Sequence, residues 1–179
     1  MDKNLLVAKL NKAVPGAVLE ARRFGRSSHS SIWVEAQTIQ KVANALKTDA
    51  VLGLDWLENL SVVEFEKVFV ISYFVRSSES QFNVIIRASA VPSAPHAEVF
   101  FPSIRTVWPM GEPMEEEAEE LFGILFRVEG VNSRESRMAK LPGEWKGYPL
   151  RKNYVFPEDF FGIHHSRSLN RPVQKSVDP

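Results

Sequence analysis

The first half of the chain alternates between helical and extended hydrophobic patterns. Near its start, apolar residues recur three and four positions apart, and the Pro-Gly pair at residues 15–16 would end such a helix. A second stripe with the same spacing predicts another helix further along. The apolar stripes consist of Leu6, Leu10, Ala13 and Val14 in the first helix, and of Ile39, Val42, Ala43 and Leu46 in the second.

Extended patterns surround the second helix. Residues 17–24 and 31–35 predict two strands that are joined by a polar turn at residues 25–30. Residues 56–65 and 68–75 are the most apolar part of the chain and predict two more strands. Residues 81–88 alternate apolar and polar positions after a polar turn, which is typical of a hairpin with one solvated face and hence of an antiparallel sheet.

A third helix is predicted between Pro113, which suits a first helical turn, and Gly123, which suits the position after a helix end. Its apolar face would contain Met114, Ala118, Leu121 and Phe122. Five prolines between residues 92 and 113 predict a stretch that is largely loop. The helical and extended pattern fades after Phe126.

These elements predict an α+β fold, with helices on one face of a mostly antiparallel sheet and an extended, irregular C-terminal arm. We predict three parts: an α+β domain at residues 1–126, a partner-binding arm at residues 127–167 and a flexible tail at residues 168–179. No internal repeat is evident.

Charge and composition narrow the function classes. The 22 Lys and Arg balance the 22 Asp and Glu, so electrostatics give no reason to expect a nucleic-acid binder. The absence of cysteine from the sequence excludes disulfides and thiolate metal or cluster sites in this chain. No apolar run approaches the length of a membrane span, and the cytoplasm is the simplest location.

The neutral total hides an uneven distribution. Residues 111–120 hold six of the 22 acidic residues and no basic one, whereas residues 121–179 carry ten Lys and Arg against six Asp and Glu. Three interpretations of the acidic helix remain open: a solvated face, a contact face for a basic partner, and a metal or acid–base site. The last is the weakest, since no His lies at ligand spacing on this helix.

The other candidate groups are less specific. The adjacent His164 and His165 diverge, and the Ser-rich segment around His29 is explained by a turn. The chain has no phosphate-binding glycine motif. The segment 146–154 is either a turn with snorkelling cations or a rigid extended piece that presents Arg151 for a bidentate carboxylate contact.

Two segments carry a resemblance to a known family. EEEAEELFGILF at residues 115–126, followed by WKGYPLRK at residues 145–152, resembles the 30 kDa subunit of respiratory complex I, which is the hydrophilic C subunit in the peripheral arm of NADH:quinone oxidoreductase. LENLSVVE at residues 57–64 is similar to a strand of that family, as are Pro102-Ser103-Ile104 and Trp108-Pro109 to its approach to the acidic helix. The resemblance covers roughly residues 50–155.

The resemblance implies a non-catalytic subunit of a proton-pumping translocase, peripheral to the cytoplasmic side of a bacterial inner membrane. It implies no cofactor in this chain, with iron–sulfur clusters, FMN and quinone in partner subunits. The implied partners are the large quinone-site subunit and a ferredoxin-like iron–sulfur subunit. The implied partner-binding residues are Glu115, Glu117, Glu120, Gly123, Trp145, Gly147, Pro149, Arg151 and Lys152.

Other classes remain as alternatives. The same type of subunit could serve a related membrane-bound hydrogenase, or the acidic helix could belong to a stand-alone carboxylate-dependent metal hydrolase. A free adaptor with an acidic docking helix is a third alternative.

Overall fold

The computed structural model describes residues 3–23, 30–80, 82–94, 97–128, 141–143, 145–157, 159–160 and 162–164. The predicted tail at residues 168–179 and most of the predicted turn at residues 25–30 lie outside these ranges. The helices are α1 (Lys3–Ala13), α2 (Ile39–Thr48) and α3 (Gly111–Phe122). The strands are β1 (Val18–Arg23), β2 (Ser30–Val34), β3 (Trp56–Phe65), β4 (Val68–Arg76), β5 (Asn83–Ala90), β6 (Val99–Pro102), β7 (Ile124–Arg127), β8 (Asp159–Phe160) and β9 (Ile163–His164).

The main sheet has five strands in the order β1-β2-β5-β4-β3. Its neighbouring strands are antiparallel except for β2 and β5, which run parallel. The α+β class and the mostly antiparallel sheet are therefore confirmed. The single parallel pair follows from the long excursion through α2, β3 and β4 that separates its two strands.

One face of the sheet forms the core. Burial alternates along β4, as the period of a strand requires, with Phe69, Ile71, Tyr73 and Val75 turned inward. These side chains join a single apolar cluster with all three helices. The predicted inner stripe of α2 is buried throughout, and in α1 Leu6 and Leu10 are buried while Ala13 is exposed.

The proline-rich stretch contains a strand that the pattern does not predict. Val99–Pro102 forms β6, which pairs in parallel with β7 directly after α3. The prediction of loop is wrong for these four residues, because a strand this short is specified by its distant partner rather than by its own alternation. Helix α3 is the connection between these two parallel strands.

Candidate functional site

The acidic helix α3 uses its carboxylates to bind the chain's own backbone. Glu115 is fully buried, and its Oε1 accepts the Ile104 N–H at 2.7 Å while Oε2 accepts the Ser103 hydroxyl at 2.6 Å. Tyr73 is buried on the sheet nearby, and burial together with the Glu115 charge raises the pKa of its phenol well above the usual value. Glu115 therefore fixes the segment after β6 against the helix.

Two further glutamates of α3 reach neighbouring segments. Glu119 accepts the Phe126 N–H of β7 at 2.8 Å, and Glu120 accepts the Leu141 N–H of the arm, also at 2.8 Å. Glu116 is buried as well, whereas Glu117 is exposed. The interpretation as a uniformly solvated face is thus wrong for Glu115 and Glu116, since both carboxylates lie inside the fold.

Arg151 points into the protein and not toward solvent. It is only 6% exposed, and its guanidinium donates to three carbonyl oxygens, those of Phe122 (2.6 Å), Ala97 (3.0 Å) and Gly123 (3.2 Å). Two of these carbonyls belong to the end of α3, where the helix dipole favours a cation. The interpretation that Arg151 is presented for a partner carboxylate is corrected by this geometry.

Gly123 is required where the arm crosses the end of α3. Its φ is +68°, a left-handed conformation that ends the helix, as the sequence predicts. A Cβ at this position would lie 2.5 Å from Tyr148 Cζ and 2.6 Å from Arg151 Nη2. The Tyr148 hydroxyl donates to Glu98 at 3.3 Å. Burial is the main cause that raises the pKa of Tyr148, and the negative charge of Glu98 raises it further. Only a residue without a side chain allows this approach.

The rest of the arm is held by aromatic contacts and backbone hydrogen bonds. Trp145 stacks on Tyr154, with ring centroids 6.2 Å apart, and both rings meet Phe156 edge-on. The Leu150 N–H donates to the Leu121 carbonyl at the end of α3. The described part of the arm consists largely of turns and packs against its own domain.

The outer surface of the arm remains open to solvent. The side chains of Leu150, Lys152, Val155 and Phe156 are exposed, and the Lys152 N–H donates to Glu64 at 2.7 Å. Val155 and Phe156 are neighbours in the chain, and exposed apolar side chains that lie together are typical of an interaction surface. The Lys152 side chain is exposed on this surface, with its Nζ 5.7 Å from the centroid of the exposed Phe65 ring of β3.

A cleft of about 420 Å³ lies between α3 and the arm. It brings together three predicted residues, Glu120, Trp145 and Gly147, with Leu141 and Tyr148. The other predicted residues lie apart from it. Glu115 and Arg151 are inside the fold, Gly123 is beneath the arm, Pro149 is half-buried, and Glu117 and Lys152 are exposed.

Sequence reasoning misses Tyr148 and Glu98. Tyr148 stands between two residues that are predicted, Gly147 and Pro149, and its aromatic ring is the available signal. Glu98 has no such signal, because its role depends on the position of β6 relative to the arm.

The described residues form no group of three or more His, Asp or Glu that could hold a metal ion. Among the described helices, none is both long and apolar enough to cross a membrane.

Comparison with known proteins gives consistent results. A sequence model of the family described as "Respiratory-chain NADH dehydrogenase, 30 Kd subunit" matches residues 32–164. The C subunit of NADH-quinone oxidoreductase from Roseiflexus sp. (strain RS-1) is 28% identical over 156 residues, which cover 86% of this chain and 84% of the relative. The corresponding protein of Geobacter metallireducens is 24% identical over 157 residues, covering 86% and 90%.

Among solved structures, a chain of the membrane-bound sulfane sulfur reductase, an archaeal respiratory membrane complex, has a similar fold. The TM-score is 0.68 at 17% sequence identity, and the likeness covers 85% of each chain.

Proposed function

Because the chain belongs to the family of the 30 kDa subunit of respiratory-chain NADH dehydrogenase, we propose that it is a non-catalytic subunit of the peripheral arm of a proton-pumping NADH:quinone oxidoreductase. In this role it supports the subunits that carry electrons from NADH to quinone. The iron–sulfur clusters, FMN and quinone belong to those partners.

The match to the family carries the proposal. It runs from β2 through β9 and therefore includes α3, the cleft beside it and the arm. In these parts, buried charged side chains and the left-handed Gly123 hold the arm on α3. A motif set that fixes the arm on α3 would give a partner subunit a rigid surface rather than a flexible one, which lowers the entropy cost of assembly.

The proposed partners are the large quinone-site subunit and the ferredoxin-like iron–sulfur subunit. The exposed arm side chains, Lys152 among them, support a contact here, since a surface cation sets orientation and specificity in an interface. The proposed location is the cytoplasmic side of the bacterial inner membrane, where the chain is held through the complex alone.

Gentle detergent purification of the tagged full chain tests the proposal. We expect subunits of an NADH:quinone oxidoreductase to co-purify, as identified by mass spectrometry. Isolation of the chain alone from cells that express the complex would contradict the proposed function. Co-purification with hydrogenase subunits instead would assign the chain to the alternative complex.

A pair of substitutions tests the arm surface in the same experiment. Lys152→Gln removes an exposed charge on the arm, and Lys41→Gln removes one on the exposed side of α2. We expect the Lys152 variant to lower the yield of complex several-fold relative to the Lys41 variant, with equal far-UV circular dichroism. Equal yields would remove Lys152 from the interface.

A further inference from the structure

A second cleft, of about 630 Å³, lies at the opposite side of the Tyr148–Glu98 hydrogen bond from the first. Glu98 lines this cleft, and Tyr148 lines the one beside α3. We propose that it docks a segment of a neighbouring polypeptide that carries apolar side chains next to Lys or Arg. The inference relies on the proposed function for the source of that segment, another member of the same assembly.

Strand order places three chain segments at one edge of the main sheet. β1 begins where β2 ends, since Val18 pairs with Val34. β2 and β5 are parallel, so their carboxyl ends meet at the same edge. β6 lies across this edge and is paired with β7. The cleft is the space between the sheet edge and β6. Half of its lining residues belong to β1, β2, β5 and β6, and the rest belong to the segments that follow β2 and β5 or precede β6.

The cleft is lined by large apolar side chains that the protein leaves in water. Leu19, Val91 and Phe100 are all exposed and line this cleft, and the Arg127 guanidinium lies 3.8 Å from the Phe100 ring centroid. Leu19 sits at the irregularity between Val18 and Glu20 in an edge strand. Apolar surface favours burial by about 25 cal/mol per Å². Three such side chains in a concave site therefore favour an apolar occupant.

The charge of the lining selects the sign of that occupant. Glu35 and Glu98 are the ionisable residues of its described lining, both exposed, and the cation beside that lining is Arg127, whose guanidinium lies on the Phe100 ring. Polar groups of Gln37 and Ser93 lie between them. The two carboxylates outnumber the one guanidinium, so a cationic side chain beside an apolar one is complementary to this lining, and a segment with acidic side chains is disfavoured.

Site-specific photo-crosslinking in the expressing host tests the proposal. The photoreactive residue p-benzoylphenylalanine replaces Phe100 in the full-length tagged chain. Trp56 is the matched control, because it is 46% exposed against 47% for Phe100 and lies at the far end of the sheet, paired with Arg76. The crosslinked peptides are then identified by mass spectrometry.

We expect the crosslink from position 100 to reach one segment of a second polypeptide, with Lys or Arg beside apolar residues. Position 56 should not reach that segment. Crosslinks from position 100 that fall only within the chain, on a second copy of it, or on a segment without a basic residue would overturn the proposal.

Charge reversal provides a second readout. Glu35→Lys should lower the crosslink yield from position 100 about tenfold at low salt, and less in 0.5 M salt. Glu79→Lys makes the same charge change in the exposed turn between β4 and β5, at the opposite end of the sheet, and should leave the yield unchanged. Equal yields in the two variants would contradict the assigned chemistry.

The outcomes separate this inference from the proposed function. A chain that co-purifies with respiratory subunits but shows no such crosslink overturns the cleft alone. A chain that does not co-purify with them overturns the proposed function, and a crosslink from position 100 to a protein outside the assembly overturns the cleft assignment as well.

Discussion

Arg151 satisfies three backbone carbonyls that come from two separate parts of the chain. Ala97 lies just before β6, while Phe122 and Gly123 end α3. The guanidinium also lies 4.5 Å from the Tyr148 ring centroid and 5.4 Å from that of Phe69. A planar fork of donors suits such a site, and an ammonium group cannot reproduce it.

Substitution of Arg151 should therefore destabilise the fold itself. We expect Arg151→Ala to cost about 3 kcal/mol of unfolding free energy, because buried carbonyls lose charged donors, and Arg151→Lys to cost about 1–2 kcal/mol. Urea denaturation measures both. Lys152→Ala is the adjacent control and should change stability by less than about 0.5 kcal/mol. A similar cost at both positions would contradict the buried role.

Glu115 and Glu117 show that residue type alone does not predict which glutamates of α3 are buried. Both stand in a run of glutamates on a predicted helix, and one is fully buried while the other is exposed. The burial of Glu115 depends on Ser103 and Ile104, whose positions are set by the pairing of β6 with β7. Because these two donors lie in another segment, the sequence around Glu115 does not reveal that it is buried.

At the scale of elements, local patterns predict what local physics determines. Apolar spacing and turns predict the three helices and the β3–β4–β5 hairpins, and these are confirmed. They do not predict the parallel pairs β2–β5 and β6–β7, since each joins strands separated by a helix or more. The cleft beside α3 depends on these pairs and on the returning arm, so its geometry is beyond the sequence.

The junction of α3 with the arm can be tested with two glycines. Gly123→Ala should cost about 2–4 kcal/mol, from its left-handed backbone and from displacement of Tyr148 and Arg151. In Gly143, on the arm, an added Cβ meets nothing within 4 Å, and Gly143→Ala should be nearly neutral. Denaturation measures stability, and faster proteolysis of the arm would report its release. Equal stability of the two variants would contradict the close approach.

The link between α1 and the end of α2 should make stability depend on pH. Lys9 Nζ lies 2.9 and 2.7 Å from the two Asp49 oxygens, and Asp49 also accepts the Val51 and Leu52 N–H groups. The Lys9 hydrogen bond is the main cause that holds the pKa of Asp49 below its ordinary 3.8. The unfolded chain then binds this proton more readily, so the stabilisation is present above pH 3.8 and is lost as pH falls through the folded pKa.

Asp49→Asn should reveal this dependence. The wild type should exceed the variant in unfolding free energy at pH 6–7, and the difference should shrink as pH falls below about 4. Denaturation curves between pH 2.5 and 7 measure it. In a Lys9→Met background the pH dependence of the difference should weaken. A difference that stays constant across this range would show that the carboxylate charge has no part in it.

At the scale of the whole molecule, the balance of charges conceals how the acidic residues are used. Glu115, Glu119 and Glu120 each accept a hydrogen bond from another segment of the chain, and Glu64 accepts one from the arm. Much of the acidic helix is therefore internal structure. The division into domain, arm and tail stays a prediction, although the described arm contacts both α3 and β3.

The isolated chain should repel itself least near neutral pH. Its formal net charge is zero at pH 7 with histidine counted as neutral, and uptake of protons at lower pH makes the net charge positive. Near pH 7, exposed apolar side chains on the arm and beside β6 therefore attract other copies of the chain with little electrostatic repulsion. Between pH 7 and 8.5 few groups titrate.

We therefore expect the second virial coefficient from static light scattering to rise from pH 7 to 5.5 at low salt and to change little toward pH 8.5. Addition of 0.3 M salt should remove most of that rise, and a flat profile between pH 7 and 5.5 at low salt would show that net charge does not control self-association of this chain.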